Sequence, residues 1–414
     1  MNVSSRAPKR KLPLEIKTKI PCRWRDGLYY EAEIIDAQPA LDGTYSYYIH
    51  YVEFDRRLDE WVDQDKLDVE GQQLVSVMSP SNPGTPQNPE GSERRSRKSR
   101  GPGVGEDEKL DPDMEAFEKK REEETKIKNF NRVLFGKWDI EVWYYSPFSE
   151  QIMKDHRTLI VCEWCLKYMR KARTLHSHLK ICRRRKPPGT CIYNHGPLSV
   201  FEVDGSQHHL YCQCLCLLAK LFLDHKTLYF DVEPFLFYVL TESDEEGCHV
   251  VGYFSKEKLS LEDHNVACIL TLPPWQKHGY GRALIQFSYE LTKKEGKSGS
   301  PERPLSDLGK VSYFSYWKYV LVRLMWDQRE TSVKRLTQLT GIKYDDVNSV
   351  LSHLGFLRYY RGEFQAWVSD DVLEEYVNKL PEPKVTIDPS KIQWTPPPPP
   401  KKRDLWKARA ERDG

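Results

Sequence analysis

A chain of 414 residues, 39% apolar and 30% charged, is too long for one ordinary domain, so two to four folded units are expected. Its charges nearly cancel, at a formal +2 and a pI near 7.9, so any nucleic-acid binding has to come from local clusters rather than a global basic field. The opening MNVSSRAPKRK lacks the apolar core of a secretory signal, and the most apolar runs, such as Phe235–Leu240, are far too short to span a bilayer. Ten cysteines without a secretory route point to a reducing compartment, where clustered thiols bind metal more often than they pair.

Residues 1–18 read as a basic, flexible start. From 19 to 70 the pattern becomes short alternating strands: Cys22–Trp24, Tyr29–Ile35, Tyr45–Val52 and Glu60–Val62, with turn signals at Asp26–Gly27 and Asp42–Gly43. That is the pattern of a small β-barrel. Tyr30, Tyr51 and Trp61 are candidates for an aromatic cage that holds methylated lysine through cation–π attraction. They serve equally well as core filler in so small a module. Residues 71–128 read as a linker, partly disordered. The basic run Arg94–Arg100 inside it fits a nuclear address, a nucleic-acid patch or a solvated charged segment.

Folded sequence resumes at Asn129, with strands suggested through Trp138–Phe148. Cys162, Cys165, His178 and Cys182 follow at C-x2-C-x12-H-x3-C spacing. Four filled positions of thiolate and imidazole type make the closed, structural arrangement zinc prefers. The Cys pair is expected on a turn, and His178 and Cys182 on one face of a helix. The finger, 160–186, ends in the basic cluster Arg183–Lys186. A lone finger inside a larger fold reads as a brace, with contact to DNA phosphates as the alternative. Cys191, Cys212, Cys214, Cys216 and Cys248 have no ligand spacing and read as small core residues.

Between 198 and 310 strands alternate with a helix: Leu198–Val203 and His209–Cys212 as strands, Cys214–Leu223 as a helix, then Phe235–Thr241 and His249–Phe254 as strands. The run Val266–Leu272 is a further strand, stopped by Pro273–Pro274. Gln276–Arg282 forms a glycine loop, and Ala283, Leu284, Ile285, Phe287 and Leu291 recur at helical spacing. Strand, glycine loop and helix aim unpaired N–H groups and a positive dipole end at an anion. Gly279 and Gly281 let the backbone approach it, and Lys277 and Arg282 add charge. The spacing fits neither the dinucleotide fingerprint nor the P-loop, and an ordinary strand-to-helix turn would look much the same. Gly299–Gly309 is a Pro- and Gly-rich loop with one prominent carboxylate, Glu302. A helix over Ser315–Trp326, helices over Thr331–Thr340 and Tyr344–Leu354, and a hairpin near Arg361–Gly362 give a helix-turn-helix-plus-wing pattern over 315–370. The chain ends in a Pro-rich basic tail, 395–414.

The loop fits Gln/Arg-x-x-Gly-x-Gly/Ala, and with the finger, the Asp224-His225-Lys226 string and Pro301-Glu302-x-Pro304-Leu305-Ser306 in this order the chain resembles the MYST family of histone acetyltransferases. Tyr47–Val62 is similar to that family's chromo barrel. The resemblance covers the barrel and most of 129–394. It implies an α+β fold: a chromo barrel, a linker, then a GNAT-like acetyltransferase core flanked by a C2HC zinc finger and a winged-helix-like region. It implies acetyl-CoA as co-substrate, bound by Ile269, Leu270, Thr271, Gln276, Lys277, His278, Gly279, Tyr280, Gly281, Arg282, Ser306 and Ser315, with structural zinc in the finger. It makes Lys226 an autoacetylation site and Glu302 the general base, in an apolar setting that would raise its pKa. Cys268 lies near the thioester, as a nucleophile or a packing residue. No partner in its own segment depresses its pKa, which favours direct attack by lysine. Trp275 where tyrosine is usual, Cys191 where an acidic residue is usual, and the basic Arg183–Lys186 are departures that bear on substrate preference.

The function expected is therefore acetyl transfer to histone lysines, H4 tails first, in the nucleus. Nucleosomes and the subunits of an acetyltransferase complex are the expected partners, with DNA or RNA contacts through the basic segments and no membrane. The rival readings are a catalytically weak chromatin adaptor and an acetyltransferase of mainly non-histone proteins.

Overall fold

The computed structural model describes residues 12–40, 43–52, 54–69, 125–153, 157–329, 332–360 and 362–397. Arg94–Arg100, Arg361, Pro398–Pro400 and most of the linker lie outside the described residues. Two compact units result: 1–129 with 143–146, and 130–142 with 147–414.

The first unit is built on β1 (Lys19–Arg23), β2 (Tyr29–Pro39), β3 (Tyr45–Tyr51) and β4 (Glu60–Asp63), antiparallel in that order. A bridge from Cys22 to Leu67 returns the end of the module to its first strand. Asp26 Oδ1 accepts from the Leu28 N–H at 2.9 Å, and Gly27 supplies the left-handed turn residue at φ +86°. Ile20, Ala32, Ile34, Tyr47, Ile49, Tyr51 and Val62 alternate inward and form its core.

The second unit opens with β5 (Arg132–Phe135), β6 (Trp138–Glu141), the one-turn α1 (Glu150–Met153), β7 (Thr158–Val161), β8 (Tyr168–Met169) and α2 (Ala172–Leu179), the strands ordered β6-β5-β7-β8. Then come β9 (Thr190–His195), β10 (Leu198–Asp204), α3 (His209–Lys220), β11 (Phe235–Ser243), β12 (Cys248–Glu257), β13 (His264–Val266) and β14 (Cys268–Thr271). The strands β14-β12-β11-β10-β9 form one antiparallel sheet. His209–Cys212, read from sequence as a strand, is the first turn of α3: Tyr211, Cys212, Leu215 and Cys216 are all buried, and this helical spacing outweighs the local aromatic bias.

Helix α4 (Tyr280–Lys294) crosses this sheet, and β15 (Ser300–Pro301) follows it. Its Leu284, Phe287 and Leu291 pack on sheet residues such as Val200, Tyr238 and Phe254. Its Ile285 and Tyr289 belong to a second core with α5 (Asp307–Gln328), α6 (Val333–Thr340) and α7 (Tyr344–His353), the hairpin β16 (Leu357–Tyr360) and β17 (Glu363–Ala366), and α8 (Asp370–Asn378). A helix buried on two faces is apolar on two faces. Because α4 shares that second core, the winged-helix-like region is packed into the second unit. Helix α5 begins eight residues before the sequence suggested. Ser306 caps it, accepting from the Gly309 N–H at 3.1 Å, so half of the supposed 299–309 loop is strand or helix.

Candidate active site and metal centre

The chain changes partners at Ala267. Before it, β13 pairs in parallel with β15, and the Glu302 N–H donates to the Val266 carbonyl at 2.8 Å. After it, β14 pairs with β12, with Cys268 opposite Ser255. The Cys268 N–H donates to the Ser255 hydroxyl at 3.2 Å. Glu302 and Cys268 are thereby brought to the same parting of strands. Glu302 is exposed, and its electrostatic neighbour is a second carboxylate, Glu257 at the end of β12. Burial and the like charge of Glu302 hold the Glu257 carboxyl above the usual range, against the opposing pull of His264 and the Ser260 hydroxyl. Sequence reading missed Glu257, because its strand end carries no motif.

Lys226 is buried and donates to the Cys268 sulfur at 3.6 Å. Its loop is held by the Lys220 ammonium, which donates to the Leu223 carbonyl at 3.3 Å and the Asp224 carbonyl at 2.6 Å. The Cys216 sulfur also interacts with Lys226. Burial opposes the lysine's charge, yet the two sulfurs leave its pKa raised. Two expectations change. Cys268 does have a cationic partner, supplied from outside its segment, and Cys216 is more than a small core residue. Cys212 is buried as expected, Cys214 and Cys248 are partly buried, and Cys191 is exposed.

Strand β14 is an edge strand, so among the described residues the outward N–H and C=O groups of Ile269, Leu270 and Thr271 have no strand partner. Gln276 turns back to donate to the Thr271 carbonyl at 2.9 Å. Lys277, exposed beside His278, takes the left-handed conformation at φ +64°, and Gly279 follows at +100° as the N-cap of α4. The N–H groups of Tyr280, Gly281 and Arg282 then open the helix without intrahelical acceptors. A Cβ on Gly281 would lie 3.3 Å from the Thr271 hydroxyl, which is buried without a hydrogen-bond partner in the structure. Close backbone approach, unpaired donors and an unsatisfied hydroxyl in one cradle fit the pyrophosphate of acetyl-CoA. The Arg282 guanidinium stacks over Tyr319 at 4.1 Å and is half-buried; burial lowers its pKa. Tyr280 donates to Glu242 at 2.9 Å. Ser306 and Ser315 are both exposed on the start of α5.

The segment between Lys384 and Gln393 packs back on α4, on β9 and on the glycine loop. Gln286 and Ile387 exchange two hydrogen bonds of 3.0 Å, the Gln393 N–H donates to the Ile192 carbonyl at 2.8 Å, and Lys384 donates to the Lys277 carbonyl at 3.2 Å.

In the finger, ligand atoms of Cys162, Cys165, His178 and Cys182 all lie within 4.8 Å of one another, close to the roughly 3.5–4 Å edges of a tetrahedral zinc site. Cys165 Sγ and His178 Nε2 are 3.2 Å apart. Leu166 turns the knuckle at φ +63°. Helix α2 stops at Leu179, so Cys182 sits one turn beyond it, its N–H still donating to the His178 carbonyl. Three soft thiols and one imidazole suit zinc. The finger abuts the β11–β12 turn: Glu163 accepts from His249 at 2.8 Å, and Trp164 lies 4.9 Å from the His249 ring.

In the barrel unit the three cage candidates lie in two places. Tyr30 and Tyr51 gather with Trp24, Phe54 and Leu58. Both are buried, their hydroxyls donating to Asp26 at 2.9 Å and Glu60 at 3.4 Å. Trp61 pairs with Tyr48 on the opposite face of β3, one residue out of phase with the cage pattern.

No helix among the described residues is long and apolar enough to cross a membrane. Residues 186–392 match the model of the MOZ/SAS family, residues 127–182 that of the MYST family zinc finger domain, and residues 14–69 that of the RNA binding activity-knot of a chromodomain. The chain is 44% identical over 389 residues to "Histone acetyltransferase of the MYST family 1" of Arabidopsis thaliana, covering 93% of this chain and 86% of that one. It is 40% identical over 399 residues to "Histone acetyltransferase Tip60 homolog" of Caenorhabditis elegans, covering 88% and 87%. "Histone acetyltransferase MOF" of Drosophila melanogaster is 50% identical over 286 residues, 68% of this chain and 34% of that protein. An edge strand that faces a phosphate cradle, a Cys3His knuckle and these matches along nearly the whole length place the chain in the MYST family of histone acetyltransferases.

Proposed function

We propose that the chain acetylates lysines of histone H4 tails, working in the nucleus within a multiprotein acetyltransferase complex. Its barrel would serve as the chromatin-targeting module, and Arg94–Arg100 and Arg183–Lys186 would supply contacts to DNA or RNA phosphates. The observation that carries the catalytic reading is the change of strand partner at Ala267, which has Glu302 and Cys268 flanking one opening.

Acetyl-CoA supplies an activated thioester acyl group. Ile269, Leu270 and Thr271 would hold it through backbone groups, with Gln276 to Arg282 around its pyrophosphate and Ser306 and Ser315 beside it. The incoming lysine is an ammonium with an ordinary pKa near ~10.4, so it must lose a proton before it attacks. Glu302 is the group assigned to take it: it is exposed, so a substrate side chain reaches it. Attack is direct in this reading. Lys226, which we assign as the autoacetylation site, faces Cys268 at 3.6 Å, and its acetylation removes a positive charge from beside that sulfur.

Steady-state acetylation of an H4 tail peptide at neutral pH by Glu302→Gln tests the assignment. A fall of roughly 10²–10⁴-fold in kcat is expected of a lost general base, with acetyl-CoA affinity retained. Turnover equal to wild type would remove Glu302 from the role.

A further inference from the structure

Lys226 is 7% exposed, and among the described residues its ammonium meets no carboxylate. Its partners are two sulfurs: Cys268 at 3.6 Å, and Cys216 from α3. Burial works against its charge, and the two sulfurs offset that. An amine and a thiol sulfur therefore lie side by side with no other charged group among the described residues between them to compete for the contact. Cys216 is buried, whereas Cys268 is half-buried at the strand opening and within reach of a small oxidant.

We propose that Cys268 and Lys226 form a peroxide-responsive modification site, in which oxidised Cys268 is captured by the Lys226 amine as a reversible sulfenamide. The Cys268 thiolate attacks hydrogen peroxide, the O–O bond breaks, hydroxide leaves, and the sulfur becomes a sulfenic acid. The Lys226 amine, its proton passed to that hydroxide, then attacks the sulfur. The S–N bond forms, the S–O bond breaks, and the hydroxyl departs with the second amine proton as water. The sulfur loses two electrons and the peroxide gains them. Two thiols then reverse the link: the first attacks the sulfur and frees the amine, and the second releases Cys268 as the reducing pair becomes a disulfide. The link protects Cys268 from irreversible sulfinic acid, and it blocks Lys226 from acetylation, so the two modifications exclude each other.

The test uses the full chain, first deacetylated with a lysine deacetylase and kept in zinc, then treated with hydrogen peroxide and mapped by peptide mass spectrometry. The expected product joins the Lys226 and Cys268 peptides with the loss of two hydrogens, with activity lost in step and recovered on adding dithiothreitol. Lys226→Arg should yield no such link and should drive Cys268 to sulfinic acid, which dithiothreitol does not reverse. Cys216→Ala should keep the link. The proposal is overturned if wild-type Cys268 reaches sulfinic acid as fast as in Lys226→Arg, or if the oxidised protein carries a Cys216–Cys268 disulfide instead.

Discussion

Glu257 shows how a side chain without a motif enters the site. Its carboxyl is held up first by burial and then by Glu302, so its folded pKa exceeds its unfolded one. The stability this group contributes is complete below the unfolded value, about 4.3, and is lost as pH rises through the folded value. Glu257→Gln removes that loss. The expected outcome is a smaller fall in Tm between pH 5 and pH 8 than in wild type, measured by differential scanning calorimetry; parallel curves would show that Glu257 titrates as an exposed carboxylate. Residues of this kind were not legible in the sequence. The zinc ligands, Glu302 and the loop glycines announce themselves by spacing, whereas Lys226 and Cys268 lie 42 positions apart and meet only because a loop after α3 is folded against an edge strand. Sequence also misjudged surroundings: it grouped Trp61 with Tyr51, although Trp61 lies opposite Tyr48, three positions from Tyr51 along β3.

Elements were legible where one periodicity dominated. The apolar run of β14, the proline stop and the start of α4 stand in the sequence because a buried strand and an amphipathic helix leave different spacings. The first turn of α3 and the first two turns of α5 were misread. In one, aromatic residues imitate a strand; in the other, Pro304 and Gly309 imitate a loop, while the Ser306 cap signals a helix start. The loop itself yields a sharp prediction. Gly279 holds φ +100°, and a Cβ there would stand 3.1 Å from Lys384 Cβ and 3.2 Å from the Val385 N–H nitrogen. An alanine is thus strained by its own backbone and pressed against the segment that covers the loop. Gly279→Ala should cost about 1–2 kcal/mol or more, lowering Tm by several degrees. It should raise KM for acetyl-CoA far more than it lowers kcat, because the phosphate cradle is disturbed and Glu302 is not. An unchanged KM for acetyl-CoA, read by initial rates, would mean that the loop does not hold the cofactor. The sequence shows that this glycine matters; its neighbour, more than a hundred positions later, becomes visible only in the fold.

Within the catalytic unit the zinc knuckle is built into the fold instead of hanging from it. A Cβ on Gly247, in the β11–β12 turn, would lie 2.9 Å from the Trp164 ring and 2.4 Å from the Arg185 carbonyl, so knuckle, basic cluster and turn are in contact with no room between them. His249 bridges Glu163 at 2.8 Å and Asp244 at 3.0 Å, tying the same turn to the knuckle. The turn joins β11 to β12, and β12 pairs with the strand that carries Cys268. Zinc at the four ligands would therefore fix, through two strands, the strand to which we assign acetyl transfer. A structural zinc site contributes its binding free energy directly to folding. Removing the metal with 1,10-phenanthroline should thus lower the thermal transition of the catalytic unit and abolish acetylation together, with zinc restoring both. Cys182→Ala should reproduce the loss with no metal to remove. Elemental analysis, calorimetry and activity on one sample distinguish the cases. If the chelator takes the zinc while the transition and turnover stay as they were, the knuckle is an appendage and the path from finger to β14 carries no load. If stability falls but activity at low temperature survives, the finger supports the fold without setting the geometry of the site. Contact across Gly247, Trp164 and Arg185 leaves the knuckle no independent position, and on that ground both properties are expected to fall at the same chelator concentration.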